Sequence, residues 1–173
     1  LLIRMASELG ALVIATEAAS KHVASCADPT DGLPQLMPSA PESHFQAALA
    51  ATLAATLPPG TTVARELVVP QWFQPVAAPG ATYLGARRID LAVISPEATL
   101  IVEVKVSATA DKPAYCNQAR TYACLYTRAA IALHAPTRPV VAAIVVAFDP
   151  ATAEPRMHRV DPYAWLTHGH TEV

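Results

Sequence analysis

The amino-acid sequence predicts an α/β domain in which a mixed sheet lies between helices. Helical and strand patterns follow one another in the order helix, three strands, helix, strand, and this alternation is typical of α/β architecture. Residues 140–148 are almost wholly apolar, as in strands that are buried on both faces. Hydrophobic residues make up 53% of the 173 residues and charged residues 15%, which excludes an intrinsically disordered chain.

The first 40 residues are predicted to precede the main domain. Apolar residues recur at helical spacing between Leu2 and Ser25, so this stretch is predicted to form one or two helices. Residues 28–41 contain four prolines and one glycine, which favour turns and extended backbone. We therefore assign residues 1–40 to an N-terminal helical extension with a proline-rich linker, and residues 41–173 to the main domain.

The main domain is predicted to begin with a helix and a strand. Residues 41–57 carry an apolar stripe at helical spacing, and the Pro-Pro-Gly sequence at 58–60 ends the helix. Residues 61–69 alternate and are rich in β-branched residues, which predicts a strand. Residues 70–85 are predicted to form a loop with three aromatic residues, Trp72, Phe73 and Tyr83. The first two could stack on unpaired bases or cover the core.

A β-hairpin is predicted next, from two short strands at residues 88–94 and 100–106 that are joined by residues 95–99. Residues 114–133 follow as a helix, by their length and composition. The apolar strand at residues 140–148 comes after this helix, and a turn then leads to a short pairing strand at residues 156–160.

Charged side chains stand out on the hairpin. Successive side chains of a strand point to opposite faces, so Glu103 and Lys105 are predicted to project together, away from the neighbouring valines. A turn that pairs Val93 with Leu100 would place Asp90 of the neighbouring strand directly opposite Glu103. The three charged side chains are therefore expected to converge on one face of the hairpin.

Such a cluster suits a magnesium site. Mg²⁺ prefers hard oxygen ligands, and it commonly binds one or two protein carboxylates, several waters and the oxygens of a substrate phosphate. A lysine beside the metal can orient the attacking water and offset negative charge in the transition state. The alternative is a half-exposed hairpin with a cross-strand ion pair between Asp90 or Glu103 and Lys105 or Arg88, which would contribute little to stability.

These residues form part of a longer pattern. Arg-Ile-Asp-Leu-Ala-Val-Ile at 88–94, Ile-Val-Glu-Val-Lys-Val at 101–106, and then Gln118 and Tyr122, resemble the PD-(D/E)XK nuclease superfamily. The resemblance covers about residues 42–148 and is strongest for bacterial and phage members with a Gln-x-x-x-Tyr helix after the Glu-x-Lys strand. The chain has Ile89 in place of the proline that names the superfamily. The resemblance implies a restriction-endonuclease-like αβββαβ core with a central mixed sheet.

The resemblance also implies a metal site and a catalytic lysine. Asp90 and Glu103 would be metal ligands, joined by the backbone carbonyl of Val104, and Lys105 would be the catalytic lysine. Mg²⁺ is the expected metal, with Mn²⁺ as a substitute.

Glu42 is a further candidate ligand, because the first helix of this family often contributes an acid. It shares a helical stripe with Phe45 and Leu49, so it is expected to face inward. The sequence Ser-Ala-Pro-Glu at residues 39–42 equally fits a capping box, in which the glutamate satisfies a backbone amide at the start of the helix. The sequence leaves both interpretations open.

The helix after the hairpin carries further candidates. By the resemblance, Gln118 and Tyr122 lie one helical turn apart and line the site or approach the substrate backbone. Without that role, Tyr122 would be a core aromatic and Gln118 a solvated side chain. Four basic residues of the same region are the candidates for contacts with nucleic acid: Arg87, Arg88, Lys112 and Arg120.

The expected function is therefore that of a metal-dependent endo- or exodeoxyribonuclease, with DNA as substrate and RNA as an alternative. The formal net charge of −2 keeps a different hypothesis open, since tight nucleic-acid binders usually carry a basic face. In that hypothesis the chain is a catalytically inactive module that keeps the fold to bind nucleic acid or a protein partner. For the oligomeric state, the candidates are a homodimer and a subunit of a larger defence or mobile-element assembly.

The cysteines indicate the compartment. They are three in number, and Cys116 and Cys124 lie eight residues apart on a predicted helix, where they are too distant to form a disulfide. This favours a reducing environment, so we expect a cytoplasmic protein. We expect no membrane segment, because no stretch approaches the roughly 20 apolar residues that span a bilayer.

Overall fold

A computed structural model of the chain describes residues 2–25, 41–73, 82–132 and 140–163. These segments contain three helices and five strands: α1 (Leu2–Ser25), α2 (Glu42–Thr56), β1 (Thr62–Phe73), β2 (Thr82–Ile94), β3 (Thr99–Val106), α3 (Pro113–Ala132), β4 (Val140–Phe148) and β5 (Pro155–Val160). Most of the predicted linker at residues 28–41, and residues 74–81 of the predicted loop, lie outside the described part of the chain.

The strands form one mixed sheet in the order β1-β2-β3-β4-β5. β3 and β4 are parallel, and α3 connects them, because parallel neighbours need a crossover. The other neighbouring strands are antiparallel. The elements from α2 to β4 follow the order αβββαβ, so the predicted α/β class and mixed sheet are confirmed.

Helices cover both faces of this sheet and divide the core into two clusters. The α1–α2 cluster lies on one face and includes the buried residues Leu12, Phe45, Leu49, Leu91, Val102, Val104 and Phe148. The α3 cluster lies on the other face and includes Ile89, Ala92, Ile101, Ala119, Ala123, Val145 and Ala147. β3 and β4 contribute to both clusters, which explains why β4 is apolar at nearly every position.

The N-terminal helix belongs to this core. Leu12, Ala15 and Ala19 of α1 are fully buried in the same cluster as Phe45 of α2. The hydroxyl of Ser20 also donates a hydrogen bond of 2.5 Å to the carbonyl oxygen of Ala153, in the turn between β4 and β5. The predicted extension is thus helical and packs on the sheet, whereas the domain boundary at residue 40 stays a prediction.

The prediction of a loop at residues 70–85 is wrong at both ends. β1 continues to Phe73 and β2 begins at Thr82, with Pro70 paired to Ala86. Proline has no N–H to donate to a neighbouring strand, but β1 is an edge strand of the sheet, where that loss is tolerated. The structure describes the backbone of Trp72 and Phe73 but not their side chains. Stacking of these rings on bases, or covering of the core by them, therefore stays a prediction.

Gly60 allows the chain to turn from α2 into β1. Its φ of +88° lies in the left-handed region, and an added Cβ would be 3.7 Å from Pro96, an ordinary contact. Gly60→Ala should therefore lower the free energy of unfolding by about 1 kcal/mol through backbone strain alone. Gly10→Ala in the exposed middle of α1 should instead raise it by about 0.5–1 kcal/mol. Urea titrations of both variants measure this difference, and equal effects would contradict it.

Candidate active site

The candidate site lies where β2 and β3 separate. The hairpin ladder pairs Val93 with Leu100, which confirms the predicted register, and it ends at the pair of Leu91 and Val102. The next position along this register sets Asp90 opposite Glu103. There the Asp90 carboxylate, rather than a backbone carbonyl, accepts a 2.8 Å hydrogen bond from the N–H of Val104. β3 nevertheless continues along β4 to Val106, so the acidic residues lie at a notch in the sheet.

Three carboxylates converge on one ammonium group in this notch. The Nζ atom of Lys105 lies 2.5 Å from Glu103 Oε1, 3.3 Å from Glu42 Oε1 and 3.8 Å from Asp90 Oδ2. Three acids against one base leave a formal charge of −2 when all four groups are ionised. The convergence predicted for Asp90, Glu103 and Lys105 is therefore present in the structure, and Glu42 joins it.

These groups are shielded from water to different degrees. The side chain of Glu103 is 0% exposed, those of Lys105 and Asp90 are 15% exposed, and that of Glu42 is 37% exposed. Ile101, two residues before Glu103, packs in the α3 cluster, whereas Val102 and Val104 pack in the α1–α2 cluster, as the alternation predicts. A half-exposed surface ion pair, the alternative that the sequence left open, does not fit a fully buried Glu103.

Glu103 is the most unusual group of the site. Both of its carboxylate oxygens are buried. Oε1 is paired with the Lys105 ammonium at 2.5 Å, whereas no group in the described part of the chain donates a hydrogen bond to Oε2. A buried carboxylate oxygen without a donor is destabilising, so this arrangement calls for an explanation such as an ion that binds there.

The pKa values of the site reflect this burial and crowding. Burial raises the pKa of Glu103 to about 7, and the nearby charge of Asp90 adds to the effect, while Lys105 opposes it. Burial also raises the pKa of Asp90, against the hydrogen bond from Val104 and the charge of Lys105. Burial acts to lower the pKa of Lys105, but the pairing with Glu103 and Asp90 outweighs it and raises that pKa. Burial and the neighbouring negative charges therefore both disfavour the ionised forms of Asp90 and Glu103.

The donor set is compatible with a divalent cation. Within the described residues, no three His, Cys, Asp or Glu side chains form a ready cage for a metal ion. Mg²⁺ rarely uses such cages, because it binds one or two carboxylates and keeps waters and substrate oxygens as its other ligands. Asp90 and Glu103 supply two carboxylates, and Val104 lies between Glu103 and Lys105 on the same strand, where the resemblance expects a carbonyl ligand.

Glu42 faces the site from the start of its helix. α2 begins at Glu42 with Pro41 as its N-cap, and the Pro41 side chain makes no capping hydrogen bond. The Glu42 carboxylate instead accepts a 3.5 Å hydrogen bond from Gln46 Nε2, one turn further along, and a 3.3 Å hydrogen bond from Lys105. Ser39, the other member of the capping box that the sequence allowed, lies outside the described residues, so the capping box stays untested. Direct metal ligation by Glu42 stays a prediction.

Gln118 and Tyr122 lie on α3, the helix that covers the α3 cluster. The Nε2 atom of Gln118 donates a 3.0 Å hydrogen bond to the hydroxyl of Tyr122, and the Tyr122 ring packs against the buried residues of that cluster. Among the described residues, neither side chain hydrogen-bonds to the three carboxylates or to Lys105. Tyr122 thus has the packing role that the sequence allowed, and a role of the pair in the site stays a prediction.

The four predicted nucleic-acid contacts lie on β2, just before α3 and on α3. Arg87 is exposed on β2, and Arg88 pairs with Glu66 of β1 at 3.2 Å. Lys112 precedes α3 and lies 5.3 Å from the centre of the Tyr115 ring. Arg120 donates hydrogen bonds to the Asn117 side chain and to the backbone of residue 161.

Sequence reasoning missed Glu66 and Tyr115. Glu66 has a positive φ of 52°, and its charge contributes to the raised pKa of Asp90. A hydrogen bond with Ser107 lowers the pKa of the Tyr115 hydroxyl, and Lys112 and Lys105 act in the same direction. Tyr115 is visible in the sequence as an aromatic next to Lys112. The sequence does not identify Glu66 as a residue of the site, because its position depends on an unusual backbone angle.

None of the helices in the described part of the chain is both long and apolar enough to cross a membrane. Cys116 and Cys124 are free thiols.

The comparisons with known proteins add little to this geometry. No family model matches the chain, and no curated protein matches it. Among solved structures the chain is similar to the protein SSO0001, at 15% sequence identity and a TM-score of 0.44 over 70% of this chain. The similarity spans 53% of the length of SSO0001. A TM-score this low carries no argument about the fold or the function of this chain.

Proposed function

We propose that the chain is a metal-dependent nuclease that hydrolyses the phosphodiester bonds of DNA. One observation carries the proposal: three carboxylates lie within 3.8 Å of the single Lys105 ammonium, and Oε2 of the buried Glu103 has no donor among the described residues. A divalent cation would bind this oxygen and neutralise the excess negative charge. The resemblance of the same residues to the PD-(D/E)XK superfamily supports this interpretation.

Each residue of the notch has a distinct role in this proposal. Asp90 and Glu103 would hold Mg²⁺, with the carbonyl of Val104 as a third ligand. The bound ion would polarise the phosphate and lower the pKa of a water molecule. Lys105 would direct that water to the phosphorus and offset the charge that develops on the phosphate oxygens. Glu42 would hold the Lys105 ammonium in place through the contact of 3.3 Å.

The substrate and the setting of the enzyme are also proposals. DNA would approach the notch along the basic side chains of β2 and α3, and RNA is the alternative substrate. The reducing cytoplasm is the proposed compartment, which the free thiols of Cys116 and Cys124 support. A homodimer or a larger defence assembly would be compatible with this activity.

The test combines metal binding with cleavage. Wild-type protein should cleave labelled single- or double-stranded DNA with Mg²⁺ or Mn²⁺ and lose all cleavage in EDTA, and the same assay on RNA decides between the substrates. Asp90→Asn should weaken Mg²⁺ binding in calorimetry by at least about tenfold. Glu154→Gln, which removes an exposed acid at the start of β5, is the matched control and should bind Mg²⁺ as wild type does. Wild-type protein without metal affinity, even with DNA present, would favour the inactive binding module.

A further inference from the structure

Glu66 interrupts the pairing of β1 with β2 beside the notch. The ladder pairs Arg65 with Leu91 and Leu67 with Ile89, but the position between them, Glu66 with Asp90, is missing. Glu66 has a φ of +52°, which costs a residue with a side chain about 1–2 kcal/mol. Such strain is retained where it serves a function more often than at random positions.

The side chains of β1 also change faces of the sheet at Glu66. Val63 packs against the α1–α2 cluster, whereas Leu67 and Val69 pack in the α3 cluster. Regular alternation would place all three side chains on one face of the strand. The outer part of the β1–β2 pair, beyond Glu66, is thus rotated relative to the sheet, and Glu66 lies at the point where the rotation begins.

The carboxylate of Glu66 contacts a cation and acts electrostatically on the acidic notch. Its Oε2 atom lies 3.2 Å from Nη1 of Arg88, and the two side chains are 41% and 66% exposed. The negative charge of Glu66 also adds to the charges that raise the pKa of Asp90. Glu66 therefore neutralises Arg88 and also disfavours the negative charge of Asp90.

Exposed ion pairs of this kind are easily exchanged. A pair in contact with water contributes about 0–1 kcal/mol, so its partner can be replaced at little cost. The planar guanidinium of arginine forms paired hydrogen bonds to a phosphate as well as to a carboxylate. A backbone phosphate that reached Arg88 would therefore compete directly with the Glu66 carboxylate.

We propose that Glu66 occupies Arg88 in the free protein and yields it to a backbone phosphate of nucleic acid, so that Glu66 limits substrate affinity. This inference rests on the proposed nuclease function for the identity of the ligand. Glu66 is a positioning residue in this scheme, because it acts through Arg88 and takes no part in the reaction at phosphorus. The strained backbone holds its carboxylate where the phosphate must bind.

The test is the affinity for fluorescein-labelled 20-nucleotide DNA, single-stranded and duplex, in EDTA, where no metal-dependent cleavage occurs. Glu66→Gln should lower the Kd by about three- to tenfold, as expected for removal of a competing contact of about 1 kcal/mol. Arg88→Gln should raise the Kd, and the double variant should bind as Arg88→Gln does. Glu154→Gln removes the acid of another exposed Glu–Arg pair, with the same change of net charge, and should leave the Kd unchanged.

Glu66→Gly separates the carboxylate from the backbone strain, because glycine adopts a positive φ freely. It should show the same gain in affinity as Glu66→Gln and a higher melting temperature. A gain in the glycine variant alone, an equal gain in Glu154→Gln, or no difference between Glu66→Gln and wild type would overturn the inference. Tighter DNA binding by Glu66→Gln without any cleavage by wild-type protein would reject the proposed nuclease function and leave the role of Glu66 standing.

Discussion

Replacing Lys105 with methionine should reduce metal-dependent cleavage by about 100- to 1,000-fold, the usual loss when one group that stabilises transition-state charge is removed. Methionine keeps most of the length and the apolar stem of lysine but has no charge. The Lys105 ammonium lies within 3.8 Å of all three carboxylates, so any phosphate held by a metal ion in the notch would lie close to it. Initial rates of cleavage with saturating Mg²⁺ measure the effect.

Metal binding separates a catalytic role of Lys105 from a structural one. The ammonium competes with a cation for the same carboxylates, so Lys105→Met should bind Mg²⁺ at least as tightly as wild-type protein does. Asp90→Asn should lose cleavage and metal affinity together. Lys21→Met, which removes an exposed lysine of α1, is the matched control and should cleave at the wild-type rate. A Lys105→Met protein that cleaves within a few-fold of wild type would refute the assigned role.

The part of the site that the sequence predicts is the part set by local rules. Alternation along a strand decides which residues share a face, and the short turn between Ile94 and Thr99 sets the register of β2 with β3. Together they place Asp90 opposite Glu103 without knowledge of the rest of the fold. The order αβββαβ follows in the same way from periodicity and from clear helix and strand ends.

The part that the sequence does not predict depends on contacts between distant segments. Pro70 disfavours a strand locally, but pairing with β2 at the edge of the sheet extends β1 to Phe73. The positive φ of Glu66 accompanies the rotation of the β1–β2 pair against α3. A glutamate does not predict such a backbone angle. The contact of Glu42 with Lys105 joins residues 63 positions apart, so no local pattern at the start of α2 predicts it.

Burial of Glu103 is the least predictable feature and has the largest consequence for stability. A glutamate in a strand pattern gives no sign that its carboxylate will be fully buried. Burial raises its pKa in the folded protein to about 7, from the ordinary value of 4.5 that applies to the unfolded chain. The folded state therefore holds the proton more tightly, and the metal-free protein should lose stability as the pH rises from about 4.5 to about 7 and change little above that range.

Glu103→Gln should consequently stabilise the metal-free protein at pH 8 by about 1–3 kcal/mol, since each unit of pKa shift corresponds to about 1.4 kcal/mol. Glutamine has nearly the same size and no charge, so the core packing is retained. The difference between the two proteins should nearly vanish at about pH 3.5, where the wild-type acid is protonated in both states. Urea titrations in EDTA at both pH values measure it, with Glu154→Gln as the control for an exposed acid. A Glu103→Gln protein less stable than wild type at pH 8 would contradict the raised pKa.

Magnesium should reverse this order. A ligand that binds only the folded state at 100 times its Kd adds about 2.7 kcal/mol to the free energy of unfolding, so wild-type protein should gain stability in Mg²⁺. Glu103→Gln lacks the buried carboxylate and should gain little, and its cleavage should fall with its metal affinity. A variant that is more stable without metal but inactive with it is the expected sign of a site whose strain serves function. Equal gains from Mg²⁺ in both proteins would show that Glu103 holds no metal ion.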